Sequence, residues 1–291
     1  MRETQVTDLR DAIHNKDFVI TVEPALHLRM TRDSLCQTFE RLAGRVDAVQ
    51  IGDNEEAEGH IAPLAIATIA LSEGVDPVVH ISARDRNRIA LHGDILGAAT
   101  LGATSLVLKR GSKLPTALKG RVKSVFDSRT VQMLELGTRL NETSPVISPP
   151  GLLLGSMITA IDPEPNWPAE RVTEKLDAGA GFLLTRACLD IVWLAGYAAA
   201  LVALKLTHRA IFIAGIPLLT SALDLRWLNE NLPDTVISKA LPERILGARD
   251  PRAEGIKACR EMLAALRDIP GISGVNLLYR GDVADIVEVL R

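Results

Sequence analysis

The stretch "TEKLDAGAGFLLTR", Thr173–Arg186, decides the fold. It opens with helical spacing and ends in a run of large apolar residues that reads as a buried strand. Asp177-Ala178-Gly179-Ala180-Gly181 lies between the two. A helix that delivers the chain so abruptly into a strand is the return leg of a β/α unit. Gly179 or Gly181 supplies the φ > 0 that such a turn needs, and the alanines let helix and strand approach closely. In a closed barrel, the polar pair Thr185-Arg186 then falls at the C-terminal end of its strand. Barrel enzymes carry their chemistry on that face.

The same unit repeats on both sides of this stretch. Short apolar runs read as strands at 18–23 (FVITVE), 47–53 (DAVQIGD), 76–82 (DPVVHIS) and 104–111 (TSLVLKRG). Further runs follow at 152–158 (LLLGSMI), 181–186 (GFLLTR), 209–217 (RAIFIAGIP) and 274–281 (GVNLLYRG). Helical patterns separate them. Thr31 and Asp85 read as N-caps, and Gly44 and Gly102 as stops. Segment 112–150 is looser, with one helical piece, SRTVQMLELGTRL. Buried strands alternating with helices pair in parallel through right-handed crossovers. An open doubly wound sheet also satisfies that pattern. The strand count, a length of 291 residues and the lack of GxGxxG after the first strand favour a closed (β/α)8 TIM barrel of class α/β. A single domain over residues 1–291 is expected, with 1–17 as an N-terminal helical extension.

Composition narrows the function. Aromatic residues make up only 3% of the chain, which argues against base-stacking platforms and carbohydrate clefts. The net charge is −3 without a basic block, so no nucleic-acid partner is expected. Cys36, Cys188 and Cys259 form no CxxC pair, which speaks against a disulfide framework or structural zinc and fits a reducing, cytoplasmic setting. No HxH or HExxH occurs, so no metal is expected. The N-terminus lacks a signal-peptide core. The most apolar run, 191–206, has about 14 residues before Lys205, too few to span a bilayer, and reads as a buried helix. It also leaves room for a subunit contact in a homo-oligomer.

The strand ends nominate the chemistry. Glu23 closes an apolar strand and is fixed by Pro24, so its carboxyl is expected in a partly desolvated mouth. Such a site raises a carboxyl pKa and suits a general acid. The alternative is a salt bridge to Arg110 or Arg186. His80, in PVVHI, is either a hydrogen-bonded core residue or a ligand-facing one. Lys109 and Arg110 are candidates for a phosphate or carboxylate, or are surface charges ending a strand. Lys175 and Asp177 read by default as a solvated helix end. Gln50, Asp53, Ser82, Arg84, Ser112, Ser156, Thr159, Thr185, Arg186, Asn276, Tyr279 and Arg280 are the other polar residues at strand ends on the C-terminal face.

Taken in order, FVITVEP, VVHISARDRN, LGATSLVLKRG, LGSMI, EKLDAGAGFLLTR, FIAGIP and GVNLLYRGD resemble the methylenetetrahydrofolate reductase family in its single-domain bacterial form. The resemblance spans roughly residues 18–285, and the K-x-DAGA-x-F-x-x-T segment is its most specific part. It implies a barrel with FAD across the C-terminal face. Hydride would pass from NADH or NADPH through the flavin to 5,10-methylenetetrahydrofolate, giving 5-methyltetrahydrofolate. It also implies that Glu23 is the catalytic acid. His80, Arg110, Gly111, Ser156, Lys175 and Asp177 would lie at the flavin, and Ser112, Thr185, Arg186 and Tyr279 at the folate. Three positions depart from the family. Its RGD aspartate is Ser112, its TQ glutamine is Arg186, and its Thr-Tyr-Gly-Ala is Gln50-Ile51-Gly52-Asp53. The first two make the cleft more positive by about 2 charges. Asp53, Glu55 and Glu56 place negative charge where the family has a flavin contact. Three readings therefore compete. One is a flavin-dependent reductase; the second is a flavin-free, NADH-dependent or catabolic enzyme of one-carbon tetrahydrofolate adducts; the third is a non-catalytic barrel that binds a small anion.

Overall fold

A computed structural model describes residues 8–54, 59–114, 118, 120–164, 166–232 and 234–291. Eight parallel strands close into a barrel: β1 (Val19–Pro24), β2 (Ala48–Ile51), β3 (Pro77–Ser82), β4 (Ser105–Lys109), β5 (Leu153–Ile158), β6 (Phe182–Leu189), β7 (Ile211–Pro217) and, after a two-residue β8 (Val236–Ile237), β9 (Gly274–Tyr279). The β5–β6 and β1–β9 pairings complete the ring. The fold is therefore the expected (β/α)8 TIM barrel. Helices follow the strands: α1 (Leu9–Asn15) precedes β1, and α2 (Arg32–Leu42), α3 (Pro63–Ser72), α4 (Arg88–Leu101), α5 (Thr130–Thr143), α6 (Glu170–Asp177) and α7 (Ile191–Ala203) lie between successive strands. The β7–β9 connection carries α8 (Ala222–Asn231), α9 (Ala240–Leu246) and α10 (Pro251–Arg267), and α11 (Val283–Val289) closes the chain.

Local chemistry sets the boundaries. Thr31 caps α2, its hydroxyl accepting from the Ser34 N–H while Ser34 reaches back. Gly102 ends α4 in the left-handed region. The α4 cap itself is Asn87 and not Asp85. Asp85 sits in a 3-10 turn and holds the buried Arg84 guanidinium through two bonds, so its carboxylate is already engaged. In the α6–β6 turn the left-handed residue is Gly179, at φ 103°. A Cβ there would stand 2.1 Å from Thr138 Oγ1, so helix α5 packs directly over the turn. Strand β6 runs three residues beyond its expected end. It slips register between Leu184 and Ala187, and its tip pairs with β8. Helix α7 buries Leu194, Tyr197, Ala198 and Leu201 but leaves Val192 exposed, so it is one-sided and not wholly buried. No helix among the described residues is long and apolar enough to cross a membrane.

Two apolar layers hold the fold. The larger lies between the outer face of the sheet and the helices. The smaller fills the lower barrel interior with Val19, Ala48, Val78, Val107, Phe182, Leu184 and Ile213. Helix α1 completes this inner layer with Leu9 and Ala12, both fully buried. The described part of the N-terminal segment is thus a plug under the barrel. Its first N–H, from Leu9, donates to the buried Asp76 carboxylate at 2.9 Å.

Candidate active site

Side chains alternate along a strand, so the residues two positions above the apolar plug also point inward. Those residues are Thr21, Gln50, His80 and Lys109; Asn276 of β9 stands in register with Thr21, and all five are nearly excluded from solvent. One step higher on β1 stands Glu23. The barrel interior thus changes from an apolar floor to a polar storey. The polar groups satisfy one another in a single directed chain. Lys109 Nζ donates to His80 Nδ1 at 3.2 Å, and His80 Nε2 donates to Gln50 Oε1 at 2.9 Å. Gln50 Nε2 approaches Thr21 Oγ1 at 3.4 Å, and that hydroxyl donates to Asn276 Oδ1 at 3.0 Å. Asn276 Nδ2 donates to Glu23 Oε2 at 2.6 Å. A cation stands at one end and a carboxylate at the other. The amides of Gln50 and Asn276 transmit orientation and polarisation, but they are not stations for a proton relay.

Above this storey opens a cavity of about 260 Å³ at the C-terminal face. Glu23, His80, Lys109, Arg110, Gly111, Ser112, Ser156, Thr185, Arg186 and Tyr279 all line it. Helix α8 contributes Trp227 and Asn231 from the side. The charged lining is cationic on balance: Lys109, Arg110, Arg186 and Arg280 against Glu23, Asp224 and Asp234. Two of the anions are engaged locally. Asp234 pairs with Arg186 at 2.8 Å, and Asp224 accepts from Thr220 and Ser221 at the start of α8. Arg110 lies over the Phe126 ring at 4.3 Å, and Arg280 over Trp227 at 4.6 Å. Stacking holds both guanidiniums flat at the mouth while their N–H edges stay available.

Burial pushes the His80 imidazole below its ordinary value, although the Glu23 and Asp53 carboxylates oppose that shift. Burial likewise lowers the Lys109 ammonium to about 8, against the pull of the same two carboxylates. The Arg186 charge adds to the lowering.

Several expected roles are met differently. Thr185 spends its hydroxyl on the Gly215 N–H at 2.8 Å, repairing the β6 slip. Ser156 donates to the Leu108 carbonyl at 2.9 Å. Gly111 is required by packing, because at φ 84° a Cβ would stand 2.4 Å from Ser82 Oγ. Asp53 turns away from the cavity. Its carboxylate accepts from Ser82 N at 2.7 Å and from Arg86 Nη1 at 2.6 Å, so its charge is matched inside the protein. Glu55 and Glu56 lie outside the described residues.

The flavin set implied by the resemblance is divided. His80, Arg110, Gly111 and Ser156 line the cavity. Asp177 is at the last position of α6, below the barrel, where it pairs with Arg209 at 2.6 Å just before β7 begins. Lys175 gives its ammonium to the Met157 carbonyl at 2.6 Å and is not part of the cavity lining. Asp177 thus serves the helix–strand junction, while Lys175 braces a β5 residue that lines the cavity. Lys109 as an inward amine, with Gln50 and Asn276, which the sequence offered only as strand ends without a role, forms the core of the polar storey. The signal was strand parity: Gln50 and Lys109 stand two residues above the buried Ala48 and Val107, and Asn276 lies in register with Thr21. Among the described residues no cluster of three or more metal-ligating side chains occurs.

No protein-family model matches the chain, and no curated protein does. Solved structures are similar in fold. A long-chain alkane monooxygenase aligns with a TM-score of 0.56 at 12% identity, over 94% of this chain and 90% of that one. A 2,3-dimethylmalate lyase of the PEP mutase/isocitrate lyase superfamily gives 0.50 at 11%, over 92% and 77%. A β-1,4-mannanase gives 0.50 at 10%, over 94% and 92%. At such identities the likeness concerns the barrel alone.

Proposed function

We propose that the protein is an oxidoreductase of the methylenetetrahydrofolate reductase type that works without a bound flavin, with NADH or NADPH giving hydride directly to 5,10-methylenetetrahydrofolate. The observation that carries this reading is the position of Glu23. Its carboxyl lines the cavity, is oriented by the Asn276 amide, and faces a mouth edged by Arg110 and Arg280. Glu23 is the group placed to deliver a proton to the bridging amine nitrogen of the folate. The carbon–nitrogen bond then opens to a methylene iminium, which accepts hydride and becomes a methyl group. Asn276 holds the acid in place, and the stacked arginines suit the carboxylates of a folate tail. The split of the flavin set supports the direct route.

Assay of the purified protein tests this. A colourless preparation should oxidise NADH or NADPH with methylenetetrahydrofolate, with no gain from added FAD. A yellow preparation that loses its activity when flavin is stripped would restore the flavin-dependent reading. Glu23→Gln should lower kcat/KM by about 100-fold or more while folate affinity changes little. If no turnover is found and Glu23→Gln leaves ligand binding untouched, the protein is a passive anion-binding barrel.

A further inference from the structure

The mechanism above leaves one reactive group in the cavity without a task. Lys109 is the last residue of β4, points inward by strand parity, and is 8% exposed. It is the only primary amine lining the cavity among the described residues. We propose that Lys109 is a nucleophilic amine that captures a small anionic carbonyl compound, an aldehyde or 2-oxo acid, as a covalent imine.

The surroundings supply each part of that reaction. The ring of His80 donates from Nε2 to Gln50, so Nδ1 carries the lone pair and faces the amine at 3.2 Å. A neutral imidazole in this tautomer takes up the proton that the amine must lose. With the ammonium lowered to about 8, roughly a tenth of it is already neutral at pH 7. Arg110 and Arg280 provide planar donors for the carboxylate of the incoming compound. The amine nitrogen attacks the carbonyl carbon, a C–N bond forms, and the C=O pair moves onto oxygen. That oxygen takes a proton from Glu23, and His80 accepts the one released by nitrogen. The His80 imidazolium returns its proton to the carbinolamine oxygen, which departs as water and leaves a protonated imine, with Glu23 as the carboxylate. Amine and carbonyl give imine and water, with no change in oxidation state.

Lys175 provides an internal control. Its ammonium is also lowered to about 8, chiefly by burial, but it is bound to the Met157 backbone carbonyl and is not itself part of the cavity lining. If low basicity alone governed capture, the two lysines would react alike. The test is incubation of the whole protein with glyoxylate or pyruvate and cyanoborohydride near pH 7, followed by peptide mass mapping. The expected result is an adduct at Lys109 formed about tenfold or more faster than at Lys175 or at the surface lysines, and absent in Lys109→Arg. Equal labelling of Lys175, labelling spread over the surface, or undiminished total labelling of Lys109→Arg overturns the proposal. Should Lys109→Arg fail to fold, the wild-type map decides alone. This inference is independent of the folate reading: trapping needs no nicotinamide, and a protein that traps but does not oxidise NADH removes only the earlier proposal.

Discussion

Asp76 carries the clearest pH signature in the molecule. Burial pushes its carboxyl from 3.8 up to about 7, although the Leu9 N–H opposes the shift. The folded chain therefore keeps a proton that the unfolded chain has already lost between about pH 4 and 7. Stability falls as pH rises through that window and levels off above it. Asp76→Asn retains an acceptor for Leu9 and removes the ionisation. It should raise stability by roughly 2–4 kcal/mol at pH 8 and have little effect at pH 4. Thermal melts across that range check this, and a variant melting below the wild type at pH 8 contradicts it. At the same scale Glu23→Gln separates proton donation from binding, because the glutamine keeps the shape but has no acidic proton.

At the scale of elements, the α6–β6 turn shows both what a sequence reveals and what it hides. DAGAG announced a tight helix-to-strand junction, and the structure has one. Two glycines were equivalent on paper; the left-handed backbone at Gly179, together with Thr138 of α5 in the space a side chain would need, tells them apart. Thr138 also donates to the Ala178 carbonyl at 3.0 Å, tying the turn to its neighbour. Gly179→Ala should cost roughly 2–4 kcal/mol, part from the left-handed backbone and part from the clash. Adding Thr138→Ala should recover only the second part, as chemical denaturation of the single and double variants will show. The strands were legible because apolar runs bounded by turn residues carry their own signal. The slip in β6 and the short β8 were not, since register is a property of pairs. The site was legible one residue at a time: Glu23, His80 and Arg110 do share a cavity. Asp177 was placed by motif and not by position on a helix, and a helix that descends the barrel takes its last residue away from the mouth. Gln50 and Asn276 were visible as polar letters in apolar strands, but their partnership crosses 226 positions of sequence and needs the closed ring.

For the whole molecule, the plug beneath the barrel matters most. Leu9 and Ala12 complete an inner layer to which every barrel strand but β5 and β9 adds a fully enclosed apolar side chain. Removing residues 1–15 uncovers that layer and strips Asp76 of its N–H donor. The cost should be about 3 kcal/mol, a fall in Tm of roughly 5–10 °C, with increased binding of a hydrophobic dye. An unchanged Tm would mean that α1 is an ornament.

That plug also governs traffic. With the floor stopped, whatever reaches Glu23 departs by the door through which it came. In the proposed reaction both reactants would share that one mouth, and the later arrival would be expected to leave first. Turnover under that proposal would follow a compulsory order, and an unreactive mimic of the second reactant would imprison the first behind it.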